Sequence, residues 1–551
     1  MYAYTDFDRQ FVHARAAQFR DQLERHLAGQ LPDDDFRALR LQNGWYIQRH
    51  APMLRIAVPY GVLDSRQLRQ LARIAREHDR GYGHFTTRQN LQFNWIPLPQ
   101  SADVMDLLAD VDMHGIQTSG NCIRNITSDV TAGVAADELI DPRPYAEVLR
   151  QWSTLHPEFA FLPRKFKIAI SGAKEDRAAI AWHDIGLQLR KNDAGEVGFQ
   201  VFVGGGMGRT PIIGQEIKPF VPWQHILLYL EAIVRTYNRF GRRDNMYKAR
   251  IKILVKAEGQ AYFDAVNAEY QAILSDDAGS HEQLIPEAEL ARVAASFVEP
   301  QGVTPVPGVD IFEGASPAYR RWLERNVHAH RVSGYRSVTL SLKRVGLPPG
   351  DITDAQMDAA AALSDAYSHG ELRVSHDQNL LLPWVAKEHG FATPNIGLLT
   401  DMIVCPGGDF CALANARSIP VAAEITDRFQ DLDELWDIGD IDLHISGCIN
   451  SCGHHHSGHI GVLGVDKDGS EWYQITLGGS DGSTLSGTAV PGKVIGPSFA
   501  ADEAADAVEA VIATYRRERE AGERFLQTVR RIGLDAFKQA TNEIRRTTAK
   551  L

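Results

Sequence analysis

Residues 86–95 read TTRQNLQFNW, and a displacement of 289 positions places them on residues 375–384, which read SHDQNLLLPW. The alignment needs no gap, and residues on both sides match in the same register. Because self-similarity in a fixed register indicates a repeated fold, we predict two homologous halves. The matched pairs are Gln67 with Gln356, Gly81 with Gly370, Gln89 with Gln378, Asn90 with Asn379, Leu91 with Leu380, Trp95 with Trp384 and Cys122 with Cys411.

A second part of each half repeats with slightly different displacements. A shift of 275 places IAISG (168–172) on LHISG (443–447), and a shift of 274 places FQVFVGGGMG (199–208) on YQITLGGSDG (473–482). Shared β-strand composition is the alternative explanation, but the matches keep the same order in both halves. The repeat is therefore expected to extend over most of the chain.

Each half is predicted to begin with a strand, an amphipathic helix and a second strand. The helices place Leu or Met at three- and four-residue spacing, and aromatic residues suit the strands. This order is typical of half a ferredoxin-like α+β unit. The predicted segments are strands 53–58 and 337–342, helices Ser65–His78 and 354–368, strands 91–97 and 380–385, later strands 166–170, 198–203, 459–465 and 472–477, a helix at 223–239, an extended connection at 299–314 and a helical tail at about 502–544.

Composition excludes several classes of protein. A chain of 551 residues suggests three or four domains. The net charge of −12 argues against general nucleic-acid binding, and no apolar run approaches the ~18 residues that cross a bilayer. Five cysteines are too few for a disulfide scaffold, and the first residues, MYAYTDFDRQ, lack the apolar stretch of a signal peptide. We expect a large soluble protein of the cytoplasm that binds neither nucleic acid nor membrane.

Four of the five cysteines form two spaced pairs in the second half. They are Cys405 and Cys411, then Cys448 and Cys452. Thiolates bind soft metals, and zinc sites normally space each pair by two to four residues, which the first pair exceeds. The pattern favours a 4Fe–4S cluster and leaves structural zinc as the alternative. Cys122 has no partner nearby and is predicted to be a small buried residue.

The first half carries basic residues in strand and loop contexts. Lys165 and Lys167 are two apart on a predicted strand, so both side chains are expected on one face, with Phe166 turned towards the core. Two adjacent ammonium groups repel each other unless an anion lies between them, and either can donate a proton to it. The sequence therefore predicts an anion site formed by Arg55, Arg88, Arg124, Arg164, Lys165 and Lys167.

Two further motifs leave alternatives open. The loop GGGMGR (204–209) has backbone N–H groups for carboxylates or phosphates, but it does not match a dinucleotide-binding fingerprint. The last cysteine is followed by four histidines, His454, His455, His456 and His459. Metal ligation and local packing are the two alternatives for them, and local packing is the favoured interpretation. No flavin or NADPH fingerprint occurs, so we expect electrons to come from another protein.

The combination of TTRQN, LPRKFK (162–167), the cysteine array and the repeat resembles the sirohaem- and 4Fe–4S-containing sulfite and nitrite reductases. It is most similar to the haemoprotein (β) subunits of assimilatory sulfite reductases, over about residues 35–545. The resemblance implies an α+β fold with pseudo-two-fold repetition, in which two ferredoxin-like halves pair and two α/β domains enclose the cofactors. The implied organisation is an N-terminal arm (1–44), half 1 (45–120), a sirohaem and substrate domain (121–298), a linker (299–329), half 2 (330–400) and a cluster and sirohaem domain with a helical tail (401–551).

The resemblance also implies roles for residues. Cys405, Cys411, Cys448 and Cys452 would hold the cluster, and Cys452 would also be the axial ligand of the sirohaem iron. Arg55, Arg124, Lys165 and Lys167 would bind the oxyanion and supply protons. The sirohaem would be lined by Thr86, Arg88, Gln92, Asn121, Arg164, Ala414 and Asn450.

The implied activity is the six-electron reduction of sulfite to sulfide. A ferredoxin-dependent nitrite reductase, forming ammonia, is the alternative, but its plant-type members tend to have Asn at the position of Lys167. Ser119 stands near the position of a cysteine that some members cross-link to tyrosine, so no cross-link is expected. Either an NADPH-dependent flavoprotein subunit or a ferredoxin would donate electrons. Two other hypotheses are an electron carrier without turnover and a zinc-stabilised binding protein.

Overall fold

The computed structural model describes residues 2–276, 284–300, 317–344, 346–386, 395–483 and 486–548. Across these ranges, every helix is too short or too polar to span a bilayer. The strands form four sheets, three with five strands and one with six. Three main hydrophobic cores lie between the sheets and helices.

The first part of the chain builds a sheet covered by helices. The predicted N-terminal arm belongs to this unit, because Val12, Phe19 and Phe36 are buried in the same core as Leu54 and Leu91. The elements are α1 (Asp6–Leu27), α2 (Asp33–Gln42), β1 (Trp45–Ile47), β2 (Pro52–Ile56), β3 (Val62–Asp64), α3 (Ser65–His78), β4 (Tyr82–Phe85), β5 (Leu91–Phe93) and α4 (Ser101–Ala109).

The next part surrounds a second sheet, ordered β10-β9-β8-β7-β6. Strands β6, β7 and β8 run parallel and the others antiparallel, over the second core. The elements are β6 (Thr127–Ser128), α5 (Arg143–Ser153), β7 (Ile168–Ser171), β8 (Ile185–Lys191), β9 (Val197–Val203), β10 (Gln215–Pro222), α6 (Ile226–Phe240), α7 (Ile251–Glu258), α8 (Gln260–Asp276) and α9 (Glu287–Ala295).

The second half repeats both parts. The last described elements include three helices of the predicted tail, which pack on the third core. The elements are α10 (Pro317–Asn326), β11 (Val327–Ala329), β12 (Tyr335–Leu340), β13 (Asp351–Thr353), α11 (Asp354–Tyr367), β14 (Glu371–Val374), β15 (Leu380–Ala386), β16 (Ile403–Val404), α12 (Ile419–Arg428), α13 (Leu432–Ile438), β17 (Leu443–Ser446), β18 (Ile460–Lys467), β19 (Ser470–Leu477), β20 (Lys493–Val494), β21 (Phe499–Ala500), α14 (Ala504–Glu518), α15 (Phe525–Ile532) and α16 (Asp535–Thr548).

The two ferredoxin-like halves exchange one strand each. Strand β13 of the second half pairs with β4 at the edge of the first sheet, and β3 of the first half pairs with β14 of the second. Leu54 and Leu68 share one core with Met357 and Leu380 of the other half. The paired halves therefore form one unit with pseudo-two-fold symmetry, as predicted.

Repeated glutamines explain part of the sequence similarity. The Gln67 amide carbonyl accepts from the backbone N–H of Asp64 at 3.0 Å, and Gln356 does the same for Thr353 at 2.9 Å. Each closes a capping box at the start of α3 or α11. A second pair acts across the halves: Gln89 donates to the Val374 carbonyl at 3.0 Å, and Gln378 donates to that of Phe85 at 2.9 Å.

The structure differs from the predicted segments in several places. Strand β5 ends at Phe93, because the Trp95 amide donates to the Asp79 carboxylate at 2.9 Å instead of to a strand. Residues 317–329 of the predicted linker form α10 and β11 of the third sheet. Most of the predicted connection at 299–314 lies outside the described residues. The remaining domain boundaries stay predictions.

Candidate functional site

A cavity of about 720 Å³ lies between the two halves. All four paired cysteines border it from the second half, and basic residues face them from the first half. Of the predicted site residues, the lining contains Arg55, Gln92, Asn121, Arg124, Arg164, Lys165, Cys405, Cys411, Ala414, Cys448, Asn450 and Cys452. Thr86, Arg88 and Lys167 lie outside the lining.

The cysteine loops are held by backbone amides and small residues. The Gly447 N–H donates to the Cys405 sulfur at 3.1 Å, and the Asn450 side chain donates to the Cys448 sulfur at 3.4 Å. Gly407 has φ of 57°, and a Cβ there would lie 2.5 Å from the Ser418 hydroxyl. A side chain at position 407 would therefore clash with Ser418, and the turn between Cys405 and Cys411 requires glycine there.

Burial opposes ionisation of the cysteines. Burial, followed by the nearby Cys452, raises the pKa of Cys405 to about 12, and burial also raises the pKa of Cys411 and Cys448. These thiols become thiolates readily only beside a cationic centre. Within the described ranges, no three His, Cys, Asp or Glu side chains stand close enough to share one metal ion. The four sulfurs instead border one larger cavity, which fits a multi-iron cluster.

Lys165 and Lys167 are placed differently. Phe166 between them is fully buried in the core, as predicted. Lys165 lines the cavity, and burial lowers its pKa to about 8. Lys167 lies outside the lining, and its pKa is lowered further by burial and then by Arg88 and Lys165. The site thus concentrates positive charge, which a bound anion would stabilise.

The arginines leave buried donors without partners. Arg88 donates to the Asn125 carbonyl at 2.6 Å, but among the described residues its Nε and Nη1 atoms find no acceptor. Arg55 donates to the Gln92 side chain at 3.1 Å, and its buried Nε is likewise unsatisfied by the described residues. Because native proteins rarely leave buried donors unpaired, these atoms fit a ligand with several acceptors, such as a polycarboxylate macrocycle.

Arg124 and Thr86 have local partners. Arg124 donates to the Thr118 carbonyl at 2.6 Å and to that of Gly120 at 2.7 Å, which fixes its side chain at the cavity wall. The Thr86 hydroxyl accepts from the backbone N–H groups of Arg88 and Asn90, both at 3.3 Å. Thr86 therefore shapes the loop that carries Arg88.

The second half carries an equivalent polar site with inverted charge. The backbone N–H of Lys167 donates to Asp184 at 2.9 Å, and that of Asp442, 275 positions later, donates to His459 at 3.2 Å. The residues displaced by the repeat from Lys165, Lys167 and Arg88 are Asp440, Asp442 and Asp377. The fold thus contains one cationic and one acidic version of the same site.

Sequence reasoning missed many of the residues that line the cavity, and three of them are examples. Cys122, Phe161 and Leu413 line the cavity, and Phe161 and Leu413 are 72% and 71% exposed. Cys122 was predicted to be a small buried residue, but it is only partly buried at the cavity wall. Its alignment with Cys411 was the available signal. No sequence signal marked the exposed Phe161 and Leu413.

Three of the four histidines after Cys452 have side-chain partners among the described residues, as the packing interpretation favoured. His455 pairs with the Ser451 hydroxyl at 3.1 Å, His456 with the Gly208 carbonyl at 3.0 Å, and His459 with the Ser486 hydroxyl at 2.9 Å. These contacts hold the cysteine loop, which carries Cys448 and Cys452.

Comparisons with known proteins agree with this geometry. The family model "Nitrite and sulphite reductase 4Fe-4S domain" matches residues 119–272 and 398–547, and "Nitrite/Sulfite reductase ferredoxin-like half domain" matches 46–111 and 340–389. An assimilatory ferredoxin-dependent nitrite reductase of Haloferax mediterranei is 27% identical, covering 88% of this chain and 83% of that protein.

A protein sequence and a solved structure from Mycobacterium tuberculosis also match. A sulfite reductase (ferredoxin) is 27% identical, covering 88% of this chain and 83% of that protein. The solved structure of the NirA protein superposes with a TM-score of 0.75 at 24% identity, over 94% of both chains. This superposition shows a shared fold.

Proposed function

Since the chain belongs to the nitrite and sulfite reductase family, whose members are oxidoreductases with sirohaem and a 4Fe–4S cluster, we propose that it reduces sulfite to sulfide. The observation that carries this choice is the pair Lys165 and Lys167, with Arg88 beside them. The pKa of each lysine is lowered by burial and by the neighbouring cations. Such a group binds a compact oxyanion strongly, because the anion relieves the repulsion between the cations.

The cofactors would be held from both halves. Cys405, Cys411, Cys448 and Cys452 would hold the cluster, and Cys452 would also bind the sirohaem iron. The unpaired donors of Arg55 and Arg88 would bind sirohaem carboxylates. When bound, these groups supply the electrons and the site at which the oxyanion is reduced.

The basic side chains would bind the oxyanion and move protons. Lys165, with a pKa of about 8, is protonated at neutral pH and can donate from Nζ to a departing oxygen. Burial lowers the pKa of Lys167, and an anion bound beside it would raise that pKa again, which favours the ammonium form when substrate is present. Arg55 and Arg124, both at the cavity wall, would orient the anion.

The electron donor would be a separate protein. Ferredoxin is the first candidate, because the names of the nitrite and sulfite reductases that match this chain both specify it. An NADPH-dependent flavoprotein subunit is the second candidate.

Nitrite is the second candidate substrate, because relatives of both names match this chain at the same 27% identity. The test compares kcat/KM for the two anions with reduced methyl viologen as the donor. We expect sulfite to be the better substrate and Lys167→Asn to lower kcat/KM for sulfite about 100-fold while sparing nitrite. A larger kcat/KM for nitrite in the unaltered protein would contradict the proposal, and reduction of neither anion would favour a carrier.

A further inference from the structure

The start of α7 contacts the lysine segment, residues 165–167 directly before β7, through a buried ion pair. Arg250, the residue before this helix, donates from Nε and Nη2 to the Asp184 carboxylate at 3.0 and 2.8 Å. Asp184 is fully buried, and its other oxygen accepts the backbone N–H of Lys167 at 2.9 Å. Arg250 thus fixes the main chain at Lys167 without touching the substrate cavity.

Lys252, in the first turn of α7, holds the loop GGGMGR (204–209). Its Nζ donates to the carbonyls of Gly206, Met207 and Thr210 at 3.3, 2.6 and 2.5 Å. The side chain is 5% exposed, so all three ammonium protons are used inside the protein. Three carbonyls of the loop thus accept hydrogen bonds from the Lys252 side chain. The sequence had suggested instead that backbone N–H groups of this loop would bind an anion.

The clamped loop packs against the cysteine loop of the other half. The Gly208 carbonyl accepts from His456 Nε2 at 3.0 Å. Gly208 has φ of 102°, and a Cβ there would lie 3.5 Å from the Ile449 carbonyl and 4.0 Å from that of Asn450. The loop therefore meets the main chain between Cys448 and Cys452.

We propose that Arg250 and Lys252 are positioning residues that hold the lysine segment and the cysteine loop at a fixed separation. Arg250 is the N-cap of α7 and Lys252 lies in the first turn. The segment with Lys167 and the loop 204–209 are therefore held by the same helix end and cannot move independently while these contacts persist. The proposal rests on the proposed function only in taking Cys448 and Cys452 as cluster ligands and Lys167 as a substrate residue.

The test measures how fast iron leaves the purified loaded protein in the presence of a chelator. Lys252→Met keeps the length of the side chain but removes its three hydrogen bonds, and we expect iron loss about tenfold faster, with a shifted cluster potential. Lys252→Arg should restore most of the retention. Lys256→Met, on an exposed position of the same helix, is the matched control and should behave as the unaltered protein.

A double-mutant cycle with His456→Asn separates this role from general stability. If Lys252 acts through the loop, the two changes together should accelerate iron loss no more than the larger single change. His456→Asn also tests the contact if Lys252→Met does not fold. Unchanged iron retention and potential in both single variants would overturn the proposal. A wrong substrate assignment would leave these readouts as predicted, so the two failures are distinguishable.

Discussion

Lys165 and Lys167 stand two positions apart on the segment that leads into β7, in surroundings that disfavour their charge. Burial is the main cause for both, and neighbouring cations add to it. A buried ammonium loses its proton more readily than one in water, and a nearby anion restores it. The charge of the site therefore depends on what occupies it.

This dependence predicts the effect of pH on anion binding. The ammonium form of Lys165 is the binding form, and its pKa is about 8, so affinity for sulfite should fall as pH rises through about 8. Lys165→Arg should keep the affinity to higher pH, because a guanidinium stays charged. Spectral titration of the reduced, loaded protein measures the affinity at each pH.

Lys191→Arg, at an exposed position of β8, is the control and should leave the profile unchanged. The same fall above pH 8 in Lys165→Arg would show that another group sets the pH dependence.

Residues of the site were predicted from the sequence where their chemistry was unusual. The cysteine spacing and the basic motif LPRKFK identified groups that the structure brings to one cavity. The matched glutamines did not reveal their role, because a repeated residue can serve either chemistry or structure. Gln89 and Gln378 serve structure, whereas Arg88 and Asp377 beside them differ between the halves.

At the scale of elements, the exchanged strands couple the two halves. Strand β3 lies in the first half of the chain but pairs with β14, where Leu63 faces Leu372 in the register. Both side chains are almost fully buried in the shared core. A destabilising substitution in β3 should therefore also destabilise β14 in the other half.

Leu63→Ala tests this coupling. The substitution should lower the free energy of unfolding by about 3 kcal/mol, because it leaves a cavity in the shared core. Hydrogen exchange should show faster exchange at the amides of β14. Leu189→Ala in β8 removes an equally buried leucine from another core and should leave β14 protected. Unchanged exchange in β14 after Leu63→Ala would contradict the coupling.

The exchange itself was beyond sequence reasoning. Helix Ser65–His78 was predicted with its observed bounds, because its apolar spacing is regular over fourteen residues. Strands β3 and β13 contain three residues each, which is too short for a hydrophobic period to appear. Their partners are set by the tertiary packing of α3 against α11.

At the scale of the whole molecule, the halves have diverged in charge more than in shape. The strand pairing of β7 with β8 matches that of β17 with β18, yet Lys167 is replaced by Asp442. Burial raises the pKa of Asp442 just as it lowers that of Lys167. Burial thus disfavours the charged form of each residue, and the Asp442 carboxylate has a protein partner in His459, whose Nε2 lies 3.3 Å away.

The contribution of Lys165 to the stability of the cofactor-free protein should increase as pH rises above about 8. The pKa of Lys165 is about 8 in the folded chain and 10.5 ordinarily, so the unfolded chain binds more protons between these values. Its contribution to the free energy of unfolding should increase by about 3 kcal/mol across that interval. Denaturant unfolding of the cofactor-free protein and of Lys165→Met measures it as a difference.

In Lys165→Met, the free energy of unfolding should lack this increase with pH, since methionine does not titrate. Equal slopes for the two proteins between pH 8 and 10 would show that burial does not disfavour the Lys165 charge.

The exchanged strands also bear on ancestry. A chain whose halves trade strands is not two finished halves joined end to end, because neither sheet is complete without the other half. A half-length chain with this fold would trade the same strands with a second copy and would carry two identical sites. In a fused chain, a residue of one half can be substituted while its counterpart in the other half is kept. Lys167 and Asp442, with opposite charges at equivalent positions, are such a pair.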